Sequence, residues 1–261
     1  MNKVLTIAGS DSSGGAGIQA DIKTITAHKM FALCAITALT AQNTTGVFGV
    51  LNADADFVAA QIDAVFDDIP PDAVKVGMVS TTPIIETIAK KLIQYNVKHA
   101  VVDPVMVATS GARLLEESAV TALREKLIPA VSLITPNIPE AEILSGITIS
   151  SKVDMAAAAA KIASYYKGAI LIKGGHLTDD ASDLLYDGTT GEETWFPGVK
   201  LESTSTHGTG CTLSSAIACN LAAGMSPKVA VAMAKQYITE AIRQAPGFGK
   251  GNGPLNHMVN V

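Results

Sequence analysis

Charged side chains are scarce in this sequence. Asp, Glu, Lys and Arg together make up 16% of it, against roughly 25% in an ordinary soluble chain. The 24 acidic and 19 basic residues leave a net charge of −5, which excludes the basic footprint of a nucleic-acid binder. Cysteine is also rare. Cys34, Cys211 and Cys219 are odd in number and have no C-x-x-C spacing, which argues against a disulfide framework or a zinc knuckle and fits the reducing cytoplasm. Long apolar runs are missing too. Residues 30–53 and 203–227 carry no charge, but Gly, Asn, Gln, Ser and Thr interrupt both, so neither supplies the ~20 apolar residues of a membrane span. The first apolar stretch, residues 4–8, is too short for a signal peptide. Apolar content, by contrast, is plentiful at 48%, with 22 glycines. That combination suits a close-packed α/β enzyme, expected as one domain over residues 1–261.

Short apolar runs alternate with helical spacing along the chain. Strands are expected over residues 4–8, 31–41, 47–51, 73–76, 99–102, 131–134 and 169–172, with a small hairpin over 183–195 turning at Gly188 or Gly191. Helices are expected over 16–28, 55–66, 83–95, 116–126, 154–166, 210–223 and 227–244, and another opens at Asn137. This βαβα order implies a mostly parallel sheet with helices on both faces, a three-layer α/β/α sandwich. In such sheets ligands sit beyond the carboxyl ends of the strands. The residues just past those ends are Gly9-Ser10-Asp11, Gln42-Asn43, Gly77-Met78, Asp103-Pro104, Thr135-Pro136-Asn137 and Lys173-Gly174-Gly175. They are polar or flexible, and they converge on one rim.

The turn Gly9-Ser10-Asp11-Ser12-Ser13-Gly14-Gly15-Ala16-Gly17 fits neither familiar phosphate loop. Gly15-Ala16 stand where a P-loop has Lys and Ser or Thr, and a dinucleotide fingerprint would begin six residues too late. It reads either as a close backbone approach to another ligand or as a helix entry capped by Ser or Asp. The strongest local signal is Thr206-His207-Gly208-Thr209-Gly210-Cys211-Thr212. Its glycines let amide hydrogens curl around an anion, and the following helix points its positive end there. The helix dipole would favour the Cys211 thiolate, a general base for a nearby hydroxyl, whereas an ordinary free cysteine is a small core filler. Cys219, two turns on, reads as packing. Asn137 and Glu140 have capping-box spacing, which favours a cap; the functional reading pairs Glu140 with Asp103 on Mg²⁺ held through water. Lys173 offers a point charge for phosphates. Met78 and Val105 read as core on which a flat ring could rest. His176 and His207 adjoin the glycine turns, with no base–nucleophile pairing evident.

Taken in order, these motifs resemble the ribokinase-like superfamily and, within it, hydroxymethylpyrimidine/phosphomethylpyrimidine kinases. The resemblance runs from Val4 to about His257. It rests on the 8–21 segment, Ala41-Gln42-Asn43-Thr44, Asp103-Pro104-Val105-Met106, Leu133-Ile134-Thr135-Pro136-Asn137, Lys173-Gly174-Gly175-His176 and the 206–212 segment. It implies ATP-dependent phosphorylation of a hydroxymethylpyrimidine and then of its monophosphate, with Mg²⁺, and leaves dependence on a monovalent cation open. It places the anion hole at Gly208, Thr209, Gly210 and Cys211, with Cys211 as base. Lys173, Asn137 and Thr206 would serve the nucleotide, and Asp103 and Glu140 the metal. Gly9, Ala16, Asp21, Gln42, Met78 and Val105 would line the pyrimidine pocket. It further implies a homodimer; residues 47–51, a short apolar segment beside the expected pocket, read as a β flap that could pair with another chain. Two positions depart from the pattern: most of the superfamily has Asp where Cys211 stands, and Ser205 replaces an Asn common in close relatives. Pyridoxal kinases on the same framework usually lack the Gln-Asn-Thr stretch.

Overall fold

The computed structural model describes residues 1–106, 117–175, 181–198 and 203–260. The first half runs β1 (Lys3–Ala8), α1 (Gly17–Ala27), β2 (Phe31–Ile36), β3 (Ala38–Asn43), β4 (Gly46–Asn52), α2 (Ala55–Asp68), β5 (Ala73–Val76), α3 (Thr82–Gln94) and β6 (Ala100–Val102). It continues with α4 (Glu117–Ala122), β7 (Leu133–Ile134), α5 (Ile138–Ser145), α6 (Lys152–Ala163), β8 (Ala169–Ile172), β9 (Asp183–Asp187), β10 (Glu193–Phe196), α7 (Thr209–Ala222) and α8 (Pro227–Arg243). Eight strands form one sheet in the order β10-β9-β8-β7-β6-β5-β1-β2. From β8 to β2 every pairing is parallel; β9 and β10 complete the sheet as an antiparallel hairpin.

Period-2 alternation divides each central strand between two cores. Leu5, Ile7, Val74, Val76 and Val102 pack with α2, α3, α5 and α6. Val4, Ala73, Val101, Leu133 and Leu171 face the opposite way and pack with α7 and α8. The expected three-layer sandwich with a mostly parallel sheet therefore forms. The helices begin where their caps dictate: Asp54 accepts the Asp56 N–H ahead of α2, and Ser151 accepts the Asp154 N–H ahead of α6.

Two expectations need correction. Residues 31–41 are not one strand. At Thr37 the chain leaves the main sheet: its N–H donates to Ala8 O and its hydroxyl to Met78 O. The next strand, β3, pairs only with β4 in a separate two-stranded flap. Residues 117–126 are not a uniform α-helix either. After α4 the backbone widens into a π turn over Leu123–Leu127 and tightens into a 3₁₀ turn over Ile128–Ala130, a rarer geometry that apolar spacing alone does not reveal.

The segment after α8 returns across α7. The buried His257 ring shares a 3.0 Å hydrogen bond with the Thr212 hydroxyl, and its carbonyl accepts the Tyr237 hydroxyl. Burial, followed by the charge of Lys23, holds its pKa down at about 4 against an ordinary 6.5. Burial also lowers that of His28, whose Nε2 lacks a partner among the described residues. A depressed folded-state pKa gives stability that is complete above pH 6.5 and is lost as the pH falls toward 4. Urea denaturation should show a loss of about 3 kcal/mol from His257 between pH 7 and pH 4. His257→Gln should flatten that part of the profile; an unchanged slope would refute the assignment.

Candidate active site

The loops beyond the carboxyl ends of β1, β5, β6, β7 and β8 meet the N-terminus of α7 around one cavity of about 800 Å³. Gly208 caps α7 in the left-handed region at φ 82°, which only glycine adopts without strain. A Cβ there would overlap the carbonyl oxygen of Gly15, so the turn before α7 and the loop after β1 touch backbone to backbone. Thr206, Gly208, Thr209, Gly210 and Cys211 all face the cavity. The first N–H groups of a helix have no partners within it, and the dipole favours an anion there.

Asp11 locks this contact. One carboxylate oxygen accepts the N–H and hydroxyl of Ser13, and the other accepts the N–H groups of Gly15 and Ala16 and His207 Nε2 at 2.8 Å. Burial would raise its pKa, but the His207, Ser13 and Ala16 hydrogen bonds outweigh it and bring the carboxyl down to about 2. Ala16, the N-cap of α1, makes no side-chain cap. The helix entry is therefore not capped by Ser or Asp: Asp11 holds the loop just ahead of it, the Ile18 N–H donates to Gly9 O, and His207 faces Asp11. His176 lies outside the described residues.

Opposite the nest stand Asp103, Glu140 and Lys173. Asp103 and Glu140 are buried, and Lys173 Nζ lies 2.8 Å from Asp103 Oδ1, which also accepts the Thr135 hydroxyl at 3.0 Å. Asp103 Oδ2 is aimed at Gly210, where a Cβ would come within 2.8 Å of it. Glu140 serves two purposes. It completes the capping box of α5 with Asn137, accepting the Asn137 N–H at 2.8 Å, and its carboxyl also lines the cavity. Burial raises its pKa, with Lys173 opposing and Asp103 adding to the rise. Two crowded carboxylates beside one lysine suit a hydrated divalent cation. No cluster of three or more His, Cys, Asp or Glu able to cage a metal directly exists among the described residues.

Gly9, Ala16, Gln42, Met78 and Val105 also line the cavity. Gly9 and Met78 are close neighbours in it: a Cβ on Gly9 would come within 2.6 Å of Met78 Cε, the mobile end of that side chain. Gln42 comes from the flap, not from the main sheet. The β3–β4 register slips between Ala41 and Gln42, and such a bulge re-aims a side chain. The Ser12 hydroxyl then pins Gln42, donating to its carbonyl and accepting its N–H.

The sequence profile of the phosphomethylpyrimidine kinase family matches residues 11–256. The chain is 46% identical to a hydroxymethylpyrimidine/phosphomethylpyrimidine kinase of Bacillus subtilis over 98% of its length and 95% of the relative's. The chain belongs to the phosphomethylpyrimidine kinase family. It is also 50% identical, over 98% of its length, to the thiamine biosynthesis bifunctional protein ThiED of Geobacter sulfurreducens, of which it spans about half, 52%. Among solved structures, an ADP complex of Bacillus subtilis pyridoxal kinase superposes with a TM-score of 0.89 at 39% identity, covering 98% of this chain and 97% of that one. The protein is thus a kinase of this family on an α/β fold shared with nucleotide-binding relatives.

Within this kinase two expected features stand differently. Asp21 is absent from the cavity wall. It is fully buried below it and forms an ion pair with Lys75, 2.8 Å away and equally buried. Nor does the helix dipole make Cys211 a ready thiolate. Burial pushes the thiol up to about 11, opposed by Lys75 and the Gly17 N–H and reinforced by Asp21 and Asp103. Cys219 is wholly buried core, as expected. Sequence reasoning missed Lys75, Thr6 and Ser215. The available signal was a lysine inside the otherwise apolar strand Ala73-Val74-Lys75-Val76, with a glycine two residues on.

Gly208→Ala should destabilise the fold by roughly 2–3 kcal/mol, through the positive φ and the overlap with Gly15, and cut product formation about 100-fold. Urea denaturation and a coupled ATPase assay read the two effects; a wild-type midpoint and rate would show that the nest has no such constraint.

Proposed function

We propose that this kinase transfers the γ-phosphoryl group of ATP to the hydroxyl of 4-amino-5-hydroxymethyl-2-methylpyrimidine and then phosphorylates the monophosphate to the diphosphate, in thiamine biosynthesis. One observation carries the reading: a single cavity is lined by Gln42, Met78 and Val105, and also by the Gly208–Cys211 nest and Lys173. An amide both donates and accepts, matching an aminopyrimidine edge, and a wrong ring would leave it unpaired. Residues 1–261 act in this reading as one kinase domain.

Phosphoryl transfer asks mainly for positioning and charge neutralisation. Gly9, Ala16, Met78, Val105 and Gln42 hold the ring, while Lys173, Asn137 and Thr206 hold the nucleotide. Asp103 and Glu140 would hold Mg²⁺ through water, where its charge offsets that of the phosphates. In the first turnover the alcohol oxygen attacks the γ-phosphorus, the bond to ADP breaks, and the hydroxyl proton passes to the Cys211 thiolate. The amides of Gly208, Thr209, Gly210 and Cys211 receive the negative charge on the moving group. In the second turnover an ionised phosphate oxygen attacks, and no proton has to leave. Cys211→Ala should therefore slow the first turnover about 100-fold and the second less than about threefold. With the thiol at about 11, the wild-type first turnover should climb from pH 7 to 9 as the thiolate fraction grows, and Cys211→Ala should lose that climb. Equal losses in both turnovers would leave Cys211 a structural role.

The second reading is a pyridoxal kinase, favoured by the superposition on that enzyme. Mass spectrometry of products from ATP, Mg²⁺ and an equimolar mixture of the two alcohols separates them: the pyrimidine phosphates should dominate, and pyridoxal phosphate alone would overturn the assignment. The setting proposed is the cytoplasm, in keeping with three free cysteines and with no helix among the described residues long and apolar enough to cross a membrane. The flap leaves Leu39, Phe48, Val50 and Leu51 exposed, apolar side chains proposed to pair two copies into a dimer. Sedimentation should then show Phe48→Glu/Leu51→Lys as a monomer; a wild-type monomer would dispose of the dimer.

A further inference from the structure

The Asp21–Lys75 pair sits on the side of the sheet covered by α1 and α7. Thr6 and Lys75 are register partners in β1 and β5. Their neighbours Val4 and Ala73 belong to the core under α7, so alternation sends Thr6 and Lys75 to that same side. Lys75 Nζ lies 2.9 and 2.8 Å from the two oxygens of Asp21. Thr6 donates to one of those oxygens at 2.6 Å, and Ser215 of α7 to the other at 2.7 Å. Ser215 follows Cys211 by four residues on α7, so both occupy one helix face. The backbone is shaped around the ammonium: a Cβ on Gly77 would come within 2.6 Å of Lys75 Nζ.

Three buried charges bear on the same sulfur. Lys75 from β5, Asp21 from α1 and Asp103 from the end of β6 interact electrostatically with Cys211, and the Gly17 N–H at the start of α1 donates to it. Lys75 is the only cation among them. Burying a lysine and an aspartate costs more than burying two apolar side chains of similar size, even when they are well paired. Packing alone therefore gives no reason for a charged pair at this spot.

We infer that Lys75 is a positioning residue for the first phosphorylation: held by Asp21, which Thr6 and Ser215 fix in turn, its ammonium is anchored one helical turn along α7 from Cys211 and supports the negative charge on Sγ that accepts the hydroxyl proton. Asp21 acts one step further back, fixing Lys75, and touches no substrate. This rests on the proposed pyrimidine kinase reading, in which only the first turnover needs a proton acceptor.

The test uses the full chain, with the two turnovers assayed separately from the alcohol and from the monophosphate. Lys75→Met alone leaves Asp21 as an unpaired buried carboxylate and risks unfolding, so Asp21→Asn/Lys75→Met, which removes both charges, is the deciding variant. Its first-turnover kcat should fall at least about tenfold with KM unchanged, while the second stays within about threefold. Added to Cys211→Ala, the same pair of substitutions should cost the first turnover nothing further, because the sulfur it serves is gone. Equal losses in both turnovers, an unaltered first turnover, or a full additional loss in the Cys211→Ala background would each overturn the inference. A wild-type protein that yields no pyrimidine phosphate would overturn the kinase reading itself, a result distinct from an active wild type with an unselective variant.

Discussion

The Asp11 carboxylate is the constraint on which the site depends. It gathers the loop after β1 and, through His207, fastens that loop to the turn before α7. One wall of the cavity and the amide nest thereby become a single rigid unit. At neutral pH a carboxyl held near 2 is purely an acceptor, so His207 must present Nε2–H to it. The contact closes because Gly15 and Gly208 bring no side chains between the two backbones: a Cβ on Gly15 would come within 2.5 Å of the His207 ring. Two phosphate-loop patterns fail on this segment because its glycines admit another stretch of the same chain.

Much of this arrangement is legible in the sequence. A parallel sheet places its strand ends on one rim, so Asp103, Asn137 and Lys173 could be grouped by counting strands, and they line one cavity. Asn137 and Glu140 show why spacing alone could not choose between a cap and a ligand site: Glu140 caps α5 and faces the cavity at once. The features that were not legible depend on the third dimension. The break at Thr37 is set by hydrogen bonds to Ala8 and Met78, partners distant in sequence, and local apolarity runs straight through it. Asp21 belongs to a helix whose spacing suits either a pocket or a core; only the opposing Lys75 decides. The flap supplies Gln42 through a register slip that periodicity does not encode.

Cys211 shows how two generic effects are weighed. A first-turn position gives a thiolate typically 0.3–1 kcal/mol, rising to ~2 in partly buried settings, whereas excluding water from a thiolate costs several times that when no charge compensates. Burial leads here, and the thiol rises to about 11. A phosphoryl-transfer site can accept this. Its transition state is loose, the proton departs late, and positioning supplies most of the acceleration. A thiol that ionises reluctantly serves as a base only through its thiolate fraction, which a nearby cation enlarges.

The distribution of charge in the whole molecule supports that view. The chain is poor in charged residues, yet Asp11, Asp21, Lys75, Asp103 and Glu140 are all less than 5% exposed. Asp183, at 7%, holds the Gly174 N–H beside Lys173 while pairing with Lys235. Ionised groups withdrawn from water must be paired and hydrogen-bonded or they unfold the protein, so their placement is selective. Here they gather beneath and around the carboxyl ends of the strands, while the other buried polar side chains are hydroxyls, the Asn220 amide and the His207 and His257 rings. Random burial of charge would scatter such pairs through both cores. Their concentration at the rim means that the fold bears its main electrostatic cost at the one place where a phosphate-rich ligand can return it.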